Sequence, residues 1–228
     1  MEDYVFKPEL INFLKELENN NNRPWFHENK WRYEAEILKP ALAFIREFEP
    51  LLKGISESFV ASDKRVGGSL MRVYRDTRFS GNKTPYKTNV GIQFRHEYGK
   101  DVHAPGFYVH ISPEECLLGV GLWRPDSKVL GKIRDEIVDN PEKWKRARDD
   151  KKFRSAFDLT GESLKTAPRG YPRDHPLIED LRRKDHIAVR NVSESDVMKD
   201  TFIDEVAEAF SASRPYMRYL CEALSLPF

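Results

Sequence analysis

The stretch RVYRDTRFSGNKTPYKTNVG, residues 72 to 91, carries five cationic side chains, two tyrosines and one aspartate in twenty positions. Its candidate ligand-binding residues are Arg72, Arg75, Asp76, Arg78, Lys83, Tyr86 and Lys87. A guanidinium presents a planar fork of donors that matches a phosphate or carboxylate, and a lysine adds a compact point charge. A tyrosine donates one hydrogen bond and offers a ring for stacking. Together these types describe a site for a phosphate, carboxylate or sulfate group, walled by Arg72 or Tyr74. Asp76 is placed to orient a neighbouring arginine, and Pro85 stiffens the backbone next to Tyr86. The competing reading is a solvated loop whose exposed ion pairs contribute little.

Other residue types point to weaker chemistry. His110 lies on the face of a strand that also carries Tyr108 and Ser112, opposite Phe107, Val109 and Ile111. His110 or Tyr86 is the candidate acid or base if the protein is an enzyme acting on an anionic small molecule. His96, His103, His175 and His186 show no HxH or HExxH spacing, so no metal site is expected, and no phosphate-loop or nucleophile-elbow motif implies a cofactor or a serine nucleophile. Gly119 and Gly121 precede a helix start near Asp126, which leaves room for a ligand or for a packed neighbour. The segment PRGYPRDHP, residues 168 to 176 with the proline at each end, reads as a ligand loop or a plain connector.

The elements that must position these groups follow from periodicity. Leu10, Ile11, Leu14 and Leu17 recur at helical spacing after Pro8. A second helix is expected from Pro24 to about Leu52, with a kink or break at Pro40. GGSLMRVYRD and NVGIQFRHE alternate as strands, and GFYVHIS returns through PEE as CLLGVGLW in the clearest hairpin of the chain. A helix capped by Asp126 or Ser127 is expected next, then a charged, mostly exposed helix through PEKWKRARDDKKFRSAF. LIEDLRRK reads as a short helix, HIAVRNV as a further strand, and Ser193 with Asp196 as the cap before two closing helices. Short connections between successive strands imply antiparallel pairing. The expected fold class is α+β: one domain, residues 1 to 228, with a mainly antiparallel sheet of four to six strands flanked by N-terminal and C-terminal helices.

Composition narrows the partners. Lysine plus arginine number 38 against 37 aspartate plus glutamate, so a net charge of +1 argues against a broadly basic nucleic-acid coat or a membrane-hugging face. Any anion site is therefore local. The acidic, amphipathic start is not a secretory signal, no apolar run is long enough to span a bilayer, and Cys116 and Cys221 sit in apolar surroundings as buried thiols. A soluble cytoplasmic protein is expected, whose partner is an anionic small molecule. Use of the 72 to 91 cluster with KWKRARDDKKFR as a nucleic-acid or protein interaction module is the third reading.

RDTRFSGNKTPYKTNVG, GFYVHISPEE, GVGLWRPD, the IRDEI helix and PRGYPRDHP, in that order, resemble the bacterial and fungal family known as domain of unknown function 2461. The likeness runs from about Leu10 to Met217, and Arg75, Asp76, Arg78, Phe79, Lys83, Pro85, Tyr86 and Lys87 match its arginine-rich signature. The resemblance implies a single domain and strengthens the anion-site reading, while implying no particular reaction, substrate or cofactor.

Overall fold

The computed structural model describes residues 5–78, 80–99 and 104–228. Phe79 of the signature and His103 lie outside the described residues. The chain opens with α1 (Pro8–Asn19), in which Pro8 occupies the first turn and Leu10, Ile11, Phe13, Leu14 and Leu17 form the buried stripe. The long second helix expected from the sequence is instead a series of pieces. These are α2 (Arg23–Glu28), α3 (Lys30–Arg32), a π-helical turn (Tyr33–Leu38) and α4 (Lys39–Ile55). Asn22 caps α2 by accepting from the Trp25 N–H, and Asn29 interrupts the run. Pro40 sits in the first turn of α4, where the π-helical turn gives way to α-helix.

Among the described residues six strands follow: β1 (Phe59–Val60), β2 (Val90–His96), β3 (Gly106–Ile111), β4 (Cys116–Leu122), β5 (Asp158–Thr160) and β6 (His186–Val192). They form one antiparallel sheet in the order β1-β2-β3-β4-β6-β5. The fold is α+β, as the sequence implies. Cross-strand partners share a face, so Phe94, Phe107 and Val120 lie in one row, as do Ile92, Val109 and Leu118. This face is mainly apolar and meets the helices: Phe48 of α4 stacks on Phe94 at 4.9 Å between centroids, and Phe107 meets Phe210 at 4.9 Å.

The expected strand over GGSLMRVYRD does not form. Only two isolated bridges survive, Leu70 to Ile92 and Tyr74 to Tyr86. From Leu70 to Tyr74 is four positions, whereas from Tyr86 to Ile92 is six, so two residues of the returning chain have no opposite number and the ladder breaks. Residues 71 to 78 and 80 to 89 therefore run as an irregular hairpin, pinned by the Lys87 N–H to the Val73 carbonyl and the Arg75 N–H to the Pro85 carbonyl.

The C-terminal helices cover the other end of the core. They are α5 (Ser127–Asp139), α6 (Pro141–Arg148), α7 (Lys151–Ala156), α8 (Ile178–Leu181), α9 (Glu194–Val197), α10 (Phe202–Ala212) and α11 (Arg214–Ala223). Asp126 caps α5 through the N–H groups of Lys128 and Val129, and Ser193 and Asp196 form a reciprocal capping box on α9. The charged stretch expected as one exposed helix breaks at Asp149 and Asp150, where Asp150 caps α7. Its Trp144 and Phe153 are wholly buried. Both cysteines are buried and free, and no helix among the described residues is long and apolar enough to cross a membrane.

Candidate functional site

The irregular hairpin lies against α2, and between them runs a groove of about 610 Å³. Tyr74, Arg75, Thr77, Pro85 and Tyr86 form one wall, and Arg23, Pro24, Phe26, His27 and Lys30 form the other. Two contacts hold the walls together. The ring of Phe26 stacks on Tyr86 with centroids 4.0 Å apart and planes 18° from parallel. The Asn21 side chain accepts from the Tyr86 N–H and donates to the Tyr86 carbonyl, both at 3.0 Å.

The structure divides the seven candidate binding residues. Arg75 and Tyr86 reach the groove together, joined by Tyr74, whose ring stands 5.5 Å from Tyr86 and tilts 46° from it. Arg75 donates to the Thr84 hydroxyl, which steadies its guanidinium. Asp76 orients Arg78: the guanidinium donates twice to the carboxylate, at 3.0 and 2.7 Å, and the Arg78 N–H adds a third bond at 3.2 Å. Those bonds hold the Asp76 carboxyl down at about 2, while the pair sits in solvent and does not line the groove. Lys83 is exposed and donates to the Thr77 carbonyl at 2.9 Å. Arg72 is exposed outside the lining, so the wall falls to Tyr74. Lys87 lines a small internal void with Leu14, Tyr33 and Ile37, where desolvation, and then the charge of Arg72, lowers its pKa.

The candidate acid–base groups fare differently. Tyr86 is buried, and burial raises its pKa, away from neutral titration. His110 lies with Tyr108 on the sheet face opposite the core, as the alternation implies, and its Nδ1 is 3.0 Å from the Tyr108 hydroxyl. Burial lowers its pKa against the opposing pull of Glu115 and Glu114. It does not line the groove.

Two further segments are tied into the fold. Gly121 makes room for a neighbouring strand and not for a ligand, because a Cβ there would stand 2.0 Å from the His186 carbonyl oxygen, and its φ is +111°. The 168 to 176 loop is tied down by the Tyr171 hydroxyl, which donates to Asp135 at 2.6 Å. Among the described residues no group of three or more His, Cys, Asp or Glu side chains comes together as a metal would require.

What the sequence reading missed is the other wall. Arg23, His27 and Lys30 stand at i, i+4 and i+7, which places them on one side of the helical stretch, and this spacing was there to be found. With Arg75 they bring three cations and an imidazole to the groove, and among the described residues no carboxylate lines it. Lys30 is drawn only loosely toward Glu34, at 4.0 Å, and among the described residues Arg23 makes no ion pair. A second cavity, of about 370 Å³, shows the contrast. Lys7 and Lys39 there face Glu9 and Glu36, so its charges balance.

No curated protein and no solved structure matches the chain. The family model described as "Conserved hypothetical protein (DUF2461)" matches residues 9–219, and the arginine-rich hairpin that forms one wall of the groove lies inside that match. With its core, its sheet and both walls of the groove spanned in this way, the chain belongs to the DUF2461 family.

Proposed function

We propose that the protein binds a small molecule bearing a phosphate, carboxylate or sulfate group in the groove between α2 and the 71 to 89 hairpin. The observation that carries this reading is the one-sided charge of the lining: Arg23, Lys30 and Arg75 line the same space with the imidazole of His27, and among the described residues no carboxylate lines it. In a chain of net charge +1, such a concentration of one sign raises the local concentration of anions and costs self-repulsion when nothing is bound. Arg23 and Arg75 clamp the anion, Lys30 adds charge, and Thr77 offers a hydroxyl.

Binding, and not catalysis at the groove, is the better reading. Tyr86 is buried under Phe26, and His110 lies outside the lining. The interaction-module reading keeps only part of its second basic patch, since Arg146, Lys151, Lys152 and Arg154 stay exposed while the rest of the stretch is otherwise engaged. Trp144 and Phe153 of that stretch are core, Lys143 pairs with Glu136 and Glu222, and Arg148 with Asp149 and Asp180.

The test is thermal unfolding against inorganic phosphate and sulfate. A ligand at 100 times its Kd stabilises a protein by about 2.7 kcal/mol, a readily measured shift. The wild type is expected to gain stability with either anion, and the double variant Arg23→Ala/Arg75→Ala to keep its fold and lose that gain. An equal gain in both proteins would overturn the assignment.

A further inference from the structure

The groove is too large and too aromatic for an inorganic anion alone. Its volume of about 610 Å³ falls within the roughly 300–1,000 Å³ of sites that enclose whole organic ligands. The cations also sit beside a corner of rings. Phe26 and Tyr86 are stacked and buried, and Tyr74 stands at 46° to Tyr86 with 58% of its surface exposed. Tyr74 thus leaves ring surface open beside the cationic lining of the groove. A flat ring stacking on it would cover that face.

We propose that the groove takes a mononucleotide, with its phosphate between Arg23, Lys30 and Arg75 and its base laid on the exposed ring of Tyr74. This rests on the anion-binding reading above and adds the ring to it. Base–aromatic stacking tolerates any base, because every base has a π face, so the preference among the four bases is weak. A single nucleotide is favoured over a strand. The lining is one bounded groove, and the chain's charges nearly cancel overall, which disfavours a long phosphodiester backbone.

Isothermal titration of the full chain with inorganic phosphate, ribose 5-phosphate, adenosine 5′-monophosphate and a ten-nucleotide single strand separates the possibilities. The nucleotide is expected to bind about tenfold or more tighter than ribose 5-phosphate. Tyr74→Ala should bring the nucleotide down to the ribose 5-phosphate level without changing the affinity for phosphate, and Tyr74→Phe should restore it. Tyr74 is exposed, so neither substitution threatens the core. Equal affinity for nucleotide and ribose 5-phosphate overturns the nucleotide assignment and leaves the anion reading standing. Absence of binding by phosphate, ribose phosphate and nucleotide alike overturns both. A strand that binds far tighter than the nucleotide, with steep salt dependence, overturns the single-nucleotide assignment in favour of a polymer.

Discussion

The ring of Phe26 lies flat on the ring of Tyr86, 4.0 Å between centroids, across sixty positions of sequence. This contact joins α2 to the arginine-rich hairpin and so creates the groove. Asn21 reinforces it by taking up both backbone hydrogen-bonding groups of Tyr86. A hairpin whose ladder is broken has few bonds of its own, and these anchors supply what the missing strand does not.

Phe26→Ala is therefore expected to do more than open a cavity. Loss of a buried phenylalanine costs about 3–5 kcal/mol, read as a lower midpoint in urea denaturation. The same variant should lose its response to phosphate, because the two walls are no longer held in register. Phe26→Leu should recover part of both. Full phosphate response in a folded Phe26→Ala protein would show that the walls hold each other by other means.

Arg78→Ala is the control that separates a charge count from a site. Arg78 is bound to Asp76 in solvent and lies off the lining, so removing it should leave phosphate affinity near the wild-type value, within about twofold, while Arg75→Ala weakens it at least tenfold. Equal losses from the two variants, measured by titration at one ionic strength, would mean that the hairpin acts only as a diffuse positive field.

Stability should fall on mild acidification through His186. The ring is completely buried against Trp144, neither ring nitrogen has a partner among the described residues, and burial, helped by Arg183 and Arg134, pushes its pKa down to about 3. The unfolded chain takes up this proton near pH 6.5 and the folded one only near 3, so between those values the unfolded state holds more protons. The contribution is fully present above pH 6.5 and is lost as pH falls, with a slope approaching about 1.4 kcal/mol per pH unit. Denaturation midpoints from pH 7 to 4 should drop less steeply in His186→Phe. An unchanged slope would show that carboxylates account for the whole loss.

Two glycines should respond to alanine with opposite signs. Gly121→Ala forces a Cβ to within 2.0 Å of the His186 carbonyl oxygen at a positive φ, and should cost about 3 kcal/mol or more, or prevent folding. Gly131 lies inside α5 with nothing within 4 Å of the added carbon, so Gly131→Ala should stabilise by about 0.5–1 kcal/mol. Thermal melts of the two variants check both.

Most elements were legible because each carries its own period. The apolar alternation of Ile92 and Phe94, and of Phe107, Val109 and Ile111, marks strands whose one face must be buried, and the stripe in α1 marks a helix in the same way. The caps at Asp126 and Ser193 were equally readable, since they depend on side chains a few residues apart. The strand over residues 67 to 76 was misread because alternation in Leu70, Arg72 and Tyr74 needs a partner in matching register, and the return from Tyr86 to Ile92 is two residues too long to provide it. The exposed helix through Trp144 was misread because charge count hid the few large apolar side chains that α11 buries.

For the groove, the sequence by itself determined the ingredients: a cluster of cations and tyrosines in residues 72 to 91, too local to be general basicity in a chain of net charge +1. It also held Arg23, His27 and Lys30 at the spacing of one helix face. Which of the cluster's charges would converge was decided only by the tertiary structure. Convergence depends on contacts between segments some sixty residues apart, through Phe26 on Tyr86 and Asn21 on the same backbone. Local spacing specifies which face of an element a side chain occupies, whereas long-range packing specifies what that face meets. Arg75 therefore enters the groove with Arg23 and Lys30, while Arg78, three residues on, closes onto Asp76 in solvent.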